Sequence, residues 1–142
     1  MGYLRTLIII KPDAVKRKLS EKIMMRFEDA DFKVIKKEEL QISRKLAETH
    51  YAEHDGKEFY DRLINFITSG PSIAIILEGN DIVSEVRKIV GATNPDDAQP
   101  GTIRADFKEI PLKSQAENMV HASDSDESAR REIELFFGKE YL

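Results

Sequence analysis

The run SIAIIL, Ser72 to Leu77, decides how the rest of the chain has to fold. Its apolar residues follow one another without polar alternation, which is the pattern of a short strand buried on both faces, and so of a central strand. RTLIII, Arg5 to Ile10, reads the same way and supplies a second buried strand. Between the two, Leu19, Ile23, Phe27 and Ala30 recur at helical spacing, and FKVIKKEELQI, Phe32 to Ile42, reads as a longer extended segment whose charged middle predicts one wet face. Ser43 is placed to cap a helix carrying Leu46, Ala47 and Tyr51, and Phe59, Leu63, Phe66 and Ile67 mark another that ends at SGP. After SIAIIL, Asp81 opens a helix with Ile82, Val86, Ile89 and Val90, and Gly91 is its expected C-terminal stop. NMVHA, Asn118 to Ala122, is a short last strand. Ala129, Ile133, Phe136 and Phe137 then lay a final helix on the core, with Ser123 and Asp126 as its expected capping box. Setting the extra helices aside, the order is βαββαβ. It predicts an α+β, ferredoxin-like fold: a four-stranded antiparallel sheet with helices on one face, plus extra helices and a long loop.

The totals bound the function. A chain of 142 residues, 41% hydrophobic and 34% charged, fits one domain over residues 1–142 with a core of its own. There is no cysteine, which removes disulfides, thiolate nucleophiles and cysteine-bound metals. No apolar run approaches the ~18 residues of a membrane span, and no secretory pattern opens the chain, so a cytoplasmic address without membrane contact is expected. With 22 basic against 26 acidic residues the net charge is −4, which argues against general nucleic-acid binding. Within that acidic chain, Lys11, Lys16, Arg17 and Lys18 gather at the end of the first strand, with Arg87 and Arg104 further on. Such a cluster is either solvated surface or a focused anion site.

From Gly91 to about Glu117 regular patterning gives way to GATNPDDAQPGTIRADFKEIPLKSQAE. A segment that long inside a compact domain is generally functional or disordered.

Histidine is scarce, at three residues. His50 and His54 lie in HYAEH, an H-x-x-E-H spacing that on a helix would set both rings on one face for a zinc ion, with Glu53 as base. No second motif nominates a third ligand, so two solvated histidines are the simpler expectation. His121 differs, because it ends an apolar strand just before a helix start crowded with Ser123, Asp124, Ser125 and Asp126, where the helix dipole favours an anion. Ser125, Ser128 and Glu132 share one stripe of that helix, so Glu132 can reach back to His121. A carboxylate on one ring nitrogen sets the tautomer and leaves the other as nucleophile or base. The residues alone equally allow a buried histidine merely satisfied by a carboxylate.

NMVHASDSDESARREI resembles the active-site segment of nucleoside diphosphate kinases, and three further blocks in the same order extend the likeness from Arg5 to Phe137. IIKPDAV resembles their first strand and its lysine, HYAEHDGKEFYDRLINFITSGP their nucleotide-binding helical pair, and VRKIVGATNPDDAQPGTIRADF their phosphate-binding segment. The resemblance implies a ping-pong phosphotransferase, in which a nucleoside triphosphate phosphorylates His121 and the phosphohistidine passes the group to a nucleoside diphosphate. ATP, GTP, ADP, GDP and their deoxy forms are the substrates it implies. His121, Glu132 and Ser123 would form the catalytic centre. Lys11, Tyr51, Arg87, Thr93, Arg104 and Asn118 would surround phosphates and sugar, with Lys11 and Asn118 on the sugar hydroxyl and Phe59 stacked on the base. Mg²⁺ would arrive with the nucleotide, Asp124 helping to place it, and no metal would be held by the protein alone. A homo-oligomer, hexamer or tetramer, is the implied assembly.

The chain departs from the family pattern chiefly at glycines: Ala14, Lys18, Glu21, Asp31, Ala105, Ala116 and Ala122 stand where glycine is frequent, and Glu117 replaces a usual arginine. A non-glycine residue at a site demanding positive φ is strained, which makes Ala122, next to the nucleophile, the position to check. Extra residues between Asp106 and Asn118 leave Ile110, Leu112 and Gln115 all as candidates for the second wall of the base slot. The rival readings are a catalytically silent ferredoxin-like nucleotide-binding module and an H-x-x-E-H zinc peptidase.

Overall fold

The computed structural model describes residues 3–108 and 119–142. Four strands, β1 (Arg5–Ile10), β2 (Lys33–Gln41), β3 (Pro71–Glu78) and β4 (Val120–Ala122), form one sheet in the order β2-β3-β1-β4, with every neighbouring pair antiparallel. Seven α-helices accompany them among the described residues: α1 (Pro12–Lys16), α2 (Ser20–Glu28), α3 (Arg44–His50), α4 (Tyr60–Ile67), α5 (Ile82–Val90), α6 (Ile103–Asp106) and α7 (Asp126–Phe137). None is long and apolar enough to cross a membrane.

The two apolar runs are the two inner strands. Ile8 and Ile10 of β1, with Ile73, Ile75 and Leu77 of β3, join Ala14, Ile23, Phe27, Val86 and Val90 of α1, α2 and α5 on one face. On the other, Leu7, Ile9 and Ile76 pack against Ala47, Ile64, Ile67 and Ile133 of α3, α4 and α7. The extra helices therefore roof the face that a minimal βαββαβ unit leaves open. This is why the runs show no alternation: side chains pointing either way are removed from water, at about 1.5–3 kcal/mol for each large aliphatic residue. Strand β2 lies at the edge, where its charged residues keep an open strand edge from pairing indiscriminately. A bulge between Val34 and Lys36 shifts its register against β3.

Local signals account for most of the helix ends. Ser43 caps α3 by accepting from the Leu46 N–H at 3.1 Å. Gly91 ends α5 at φ +95, and a Cβ there would sit 2.6 Å from Thr102 Oγ1, so both the backbone and the space require glycine. The expected box of Ser123 and Asp126 is not what caps α7. Ser125 does so, accepting from the Ser128 N–H at 3.0 Å. Ser123 is withdrawn from capping because its buried hydroxyl is engaged by a carboxylate described below.

Among the described residues, two of the glycine replacements fall where glycine is favoured; Ala116 and Glu117 lie outside them. Lys18 has φ +61 and Asp31 φ +63, whereas Ala122 has no positive φ and carries no such strain. Lys18 follows α1 in a Schellman turn, its N–H donating to Val15 O and that of Leu19 to Ala14 O, both at 3.0 Å. A left-handed lysine costs about 1–2 kcal/mol, partly offset by the greater freedom of glycine in the unfolded chain. Lys18→Gly is accordingly expected to raise stability by about 0.5–1 kcal/mol, read as a higher urea midpoint at unchanged slope. Asp31→Gly should gain less, because aspartate tolerates this conformation better. A lower midpoint for Lys18→Gly would mean that its side chain outweighs its backbone.

Candidate active site

His121 is the middle residue of β4, paired with Ile9 of β1, so its backbone is held by the sheet. Its ring is 19% exposed and its Nε2 lies 2.8 Å from Glu132 Oε1. Glu132, in the middle of α7 and 3% exposed, also accepts from Ser123 Oγ at 2.7 Å. Ser123 in turn accepts from the Leu7 N–H of β1 at 3.3 Å, which makes a continuous chain from sheet to helix to ring. Burial by itself would push the Glu132 carboxyl up. The charge and hydrogen bond of His121, the charge of His50 and the Ser123 hydroxyl outweigh it and hold the group at about 2. Glu132 is thus an anion suited to take an Nε2–H, which in the neutral ring puts the lone pair of His121 on Nδ1.

The cations converge beside it. Lys11 follows β1 directly, 5% exposed, and burial first, then Arg104, lowers its ammonium to about 8, with Asp13 partly opposing. Arg104 of α6 is 7% exposed. It donates to Gly91 O at 3.0 Å and to Val120 O, tying the end of α5 and the start of β4 to one guanidinium. Burial and then Arg87 lower it to about 10. Arg87, on α5, reaches Ala122 O at 3.4 Å. Tyr51, the residue closing α3, is 8% exposed, and burial and then the Glu132 carboxylate raise its phenol while Arg104 opposes. Arg104 shifts Lys11 and Tyr51, Arg87 and Tyr51 shift Arg104, and Glu132 shifts Tyr51, so the five form one electrostatic unit. Three cations that raise one another's energy make a concentrated positive field, and an incoming phosphate relieves it. Thr93 sits in the exposed loop after α5. Asn118 lies outside the described residues, as do Ile110, Leu112 and Gln115.

Phe59 stands at the N-terminal end of α4, 42% exposed, with the His54 ring 5.4 Å away and Lys57 Nζ 5.8 Å from its centroid. An exposed aromatic on the rim can stack on a flat ligand. Asp124 is exposed and, with Arg87, lines a cavity of about 560 Å³ between the N-terminal ends of α5 and α7. Lys16, Arg17, Lys18 and Lys22 are exposed, the solvated part of the basic cluster.

The histidines of HYAEH do not share a face. Helix α3 ends at His50, Tyr51 leaves helical geometry at φ −99, ψ 19, and His54 falls in a separate 3₁₀ turn. The expectation of two solvated rings fails for His50, which is 4% exposed and meets the His121 ring edge to face at 4.7 Å. It lies three and four residues after Ala47 and Leu46 on their apolar stripe, and that spacing was the available signal.

With this geometry in hand, comparison with known proteins is direct. The family model described as nucleoside diphosphate kinase matches residues 4–142. The nucleoside diphosphate kinase of Methanocaldococcus jannaschii is 52% identical over 138 residues, 97% of this chain and 96% of that protein. That of Carboxydothermus hydrogenoformans is 51% identical over 97% of this chain and 90% of its own. Among solved structures, the apo enzyme of Encephalitozoon cuniculi superposes with a TM-score of 0.92 at 36% identity, covering 99% of this chain and 92% of that one. The Halobacterium salinarum enzyme in complex with CDP gives 0.88 at 40% identity over 99% and 90%. Neither rival reading finds support in them, and the chain belongs to the nucleoside diphosphate kinase family.

Proposed function

We propose that His121 Nδ1 is the nucleophile of a two-step phosphoryl transfer. In the first step it attacks the terminal phosphorus of a nucleoside triphosphate, the N–P bond forms as the bridging P–O bond breaks, and the nucleoside diphosphate leaves with the electron pair. In the second a different diphosphate attacks the phosphohistidine and restores the ring. The observation that carries this reading is the 2.8 Å contact of Nε2 with a buried, ionised Glu132, which in the neutral ring sets the proton on Nε2 and the lone pair on Nδ1. Lys11, Arg87 and Arg104 offset phosphate charge, Tyr51 and Thr93 donate to phosphate oxygens, Asn118 and Lys11 hold the sugar, and Phe59 stacks on whichever base is present. The CDP complex of the related Halobacterium salinarum enzyme supports nucleotides as the ligands. Mg²⁺ fits as a companion of the phosphates, neutralising their charge. Exposed Asp124 is an oxygen donor suited to it, whereas the nitrogen-rich surroundings of His121 are not. One domain over residues 1–142, acting in the cytoplasm as a homo-oligomer, a hexamer or tetramer, completes the reading.

Terminally labelled ATP is expected to leave an acid-labile phosphoprotein that discharges onto added GDP, and His121→Ala should take up no label. Label that survives this substitution would overturn the assignment. Glu132→Gln exchanges a charge-assisted hydrogen bond for a neutral one, a loss of about 1.5–3 kcal/mol, so phosphorylation should slow by roughly 10- to 150-fold with the fold intact. Lys11 gives a pH signature. Bound phosphate favours its charged form and raises its pKa above about 8. Nucleotide affinity should be full below that value and fall as pH rises through it. Calorimetry in buffers of differing ionisation heat should show proton uptake on binding just above pH 8, absent in Lys11→Met.

A further inference from the structure

The His50 ring is a buried polar group that the transfer chemistry above does not use. Neither Nδ1 nor Nε2 of His50 finds a hydrogen-bond partner, although such groups cost about 1–3 kcal/mol each when left unsatisfied. Protonation does not relieve it. Burial, then the neighbouring His121, and further Arg131 and Lys11, keep its pKa near 3 against the opposing pull of Glu132. The ring therefore stands neutral, with a lone pair and no donor to meet it. Around it are Tyr51 at 4.6 Å, Phe136 at 5.4 Å and His121 at 4.7 Å, all ring to ring. One donor atom from each of His50, His121 and Glu132 can be chosen so that all three lie within 4.8 Å of one another.

We propose that His50, His121 and Glu132 form an occluded site for a borderline-soft divalent cation of the zinc class, and that its occupancy withdraws His121 from phosphoryl transfer. Two neutral imidazoles and one carboxylate are a ligand set that Zn²⁺ accepts, with a fourth position open to water or an anion. Donors about 2.0–2.2 Å from a tetrahedral ion stand about 3.4 Å apart, so the widest of the three separations has to close by about 1.4 Å. His50 can move without breaking a hydrogen bond. At His121 the ion would take the Nε2 lone pair as the ring's one proton moves from Nε2 to Nδ1, which keeps the imidazole neutral, and Glu132 would exchange its hydrogen bond for a metal bond. With Nε2 on the ion and the proton on Nδ1, the lone pair needed for attack is no longer available. The surrounding cations disfavour any dication held by charge alone, and two nitrogen donors are a poor match for oxygen-seeking Mg²⁺, so the Mg²⁺ that accompanies nucleotides does not compete. The binding half stands on geometry alone, and the silencing half rests on the role given to His121 above.

Metal uptake is measured on the full chain without nucleotide, by dialysis against buffered free Zn²⁺. One equivalent is expected for the wild type. Affinity should fall by more than about 100-fold in His50→Phe and His50→Gln, and stay unchanged in His54→Phe, whose half-buried ring is not one of the three donors. Should the His50 variants fold poorly, ring-nitrogen NMR of the wild type decides the same point: Zn²⁺ must shift one nitrogen of His50 together with Nε2 of His121. No uptake, uptake indifferent to His50, or shifts confined to His54 overturn the site. For silencing, phosphohistidine yield at buffered free zinc is compared with each protein's own zinc-free rate. Loss in the wild type and none in His50→Gln is expected, and full labelling of zinc-loaded wild type overturns it. Because uptake is read without nucleotide, it judges the site whether or not His121 takes up label.

Discussion

The structure depends on the double-sided burial of β1 and β3. A strand whose side chains are apolar in both directions has no face to show to water, so both sides of the sheet must be roofed before either strand is stable. Helices α1, α2 and α5 roof one side and α3, α4 and α7 the other. The second roof is what makes a site possible. Helix α7 brings Glu132, and the end of α3 brings Tyr51, to the same edge where β4 presents His121 and β1 delivers Lys11.

Electrostatics at that edge work in opposition. A carboxylate at 3% exposure survives ionised because an imidazole and a hydroxyl both donate to it. Lys11 and Arg104, nearly as buried, are held below their ordinary pKa values by burial and then by a neighbouring guanidinium, Arg104 for Lys11 and Arg87 for Arg104. The buried cations carry a penalty that an anion beside them would remove, and this is preorganisation in the strict sense: the donors are placed before charge arrives.

Much of this was legible in the residues. The unbroken runs at Arg5–Ile10 and Ser72–Leu77 give the inner strands, and the strand order follows from the helical and extended segments between them. Glu132 could be aimed at His121 because a helix has a fixed pitch. Three features escaped for physical reasons. Ser123 reads as a cap because serine before an acidic helix start caps well, and only tertiary contact shows its hydroxyl taken by Glu132. His50 reads as solvated because histidine is ambivalent about burial, although its place on the Leu46–Ala47 stripe pointed inward. The left-handed backbones of Lys18 and Asp31 are invisible to periodicity, since a turn conformation leaves no repeat.

The hydrogen bond between the Leu7 backbone and Ser123 joins residues 116 positions apart. Closing a loop of that size is entropically unfavourable and comes late, after the more local pairing of β1 with β3 is available. The strand of His121 and the helix of Glu132 both lie on the far side of that closure. Strand β4, which carries His121, and helix α7, part of the second roof, are both made last during synthesis, so a formed His121–Glu132 contact acts as a certificate that the whole chain has folded.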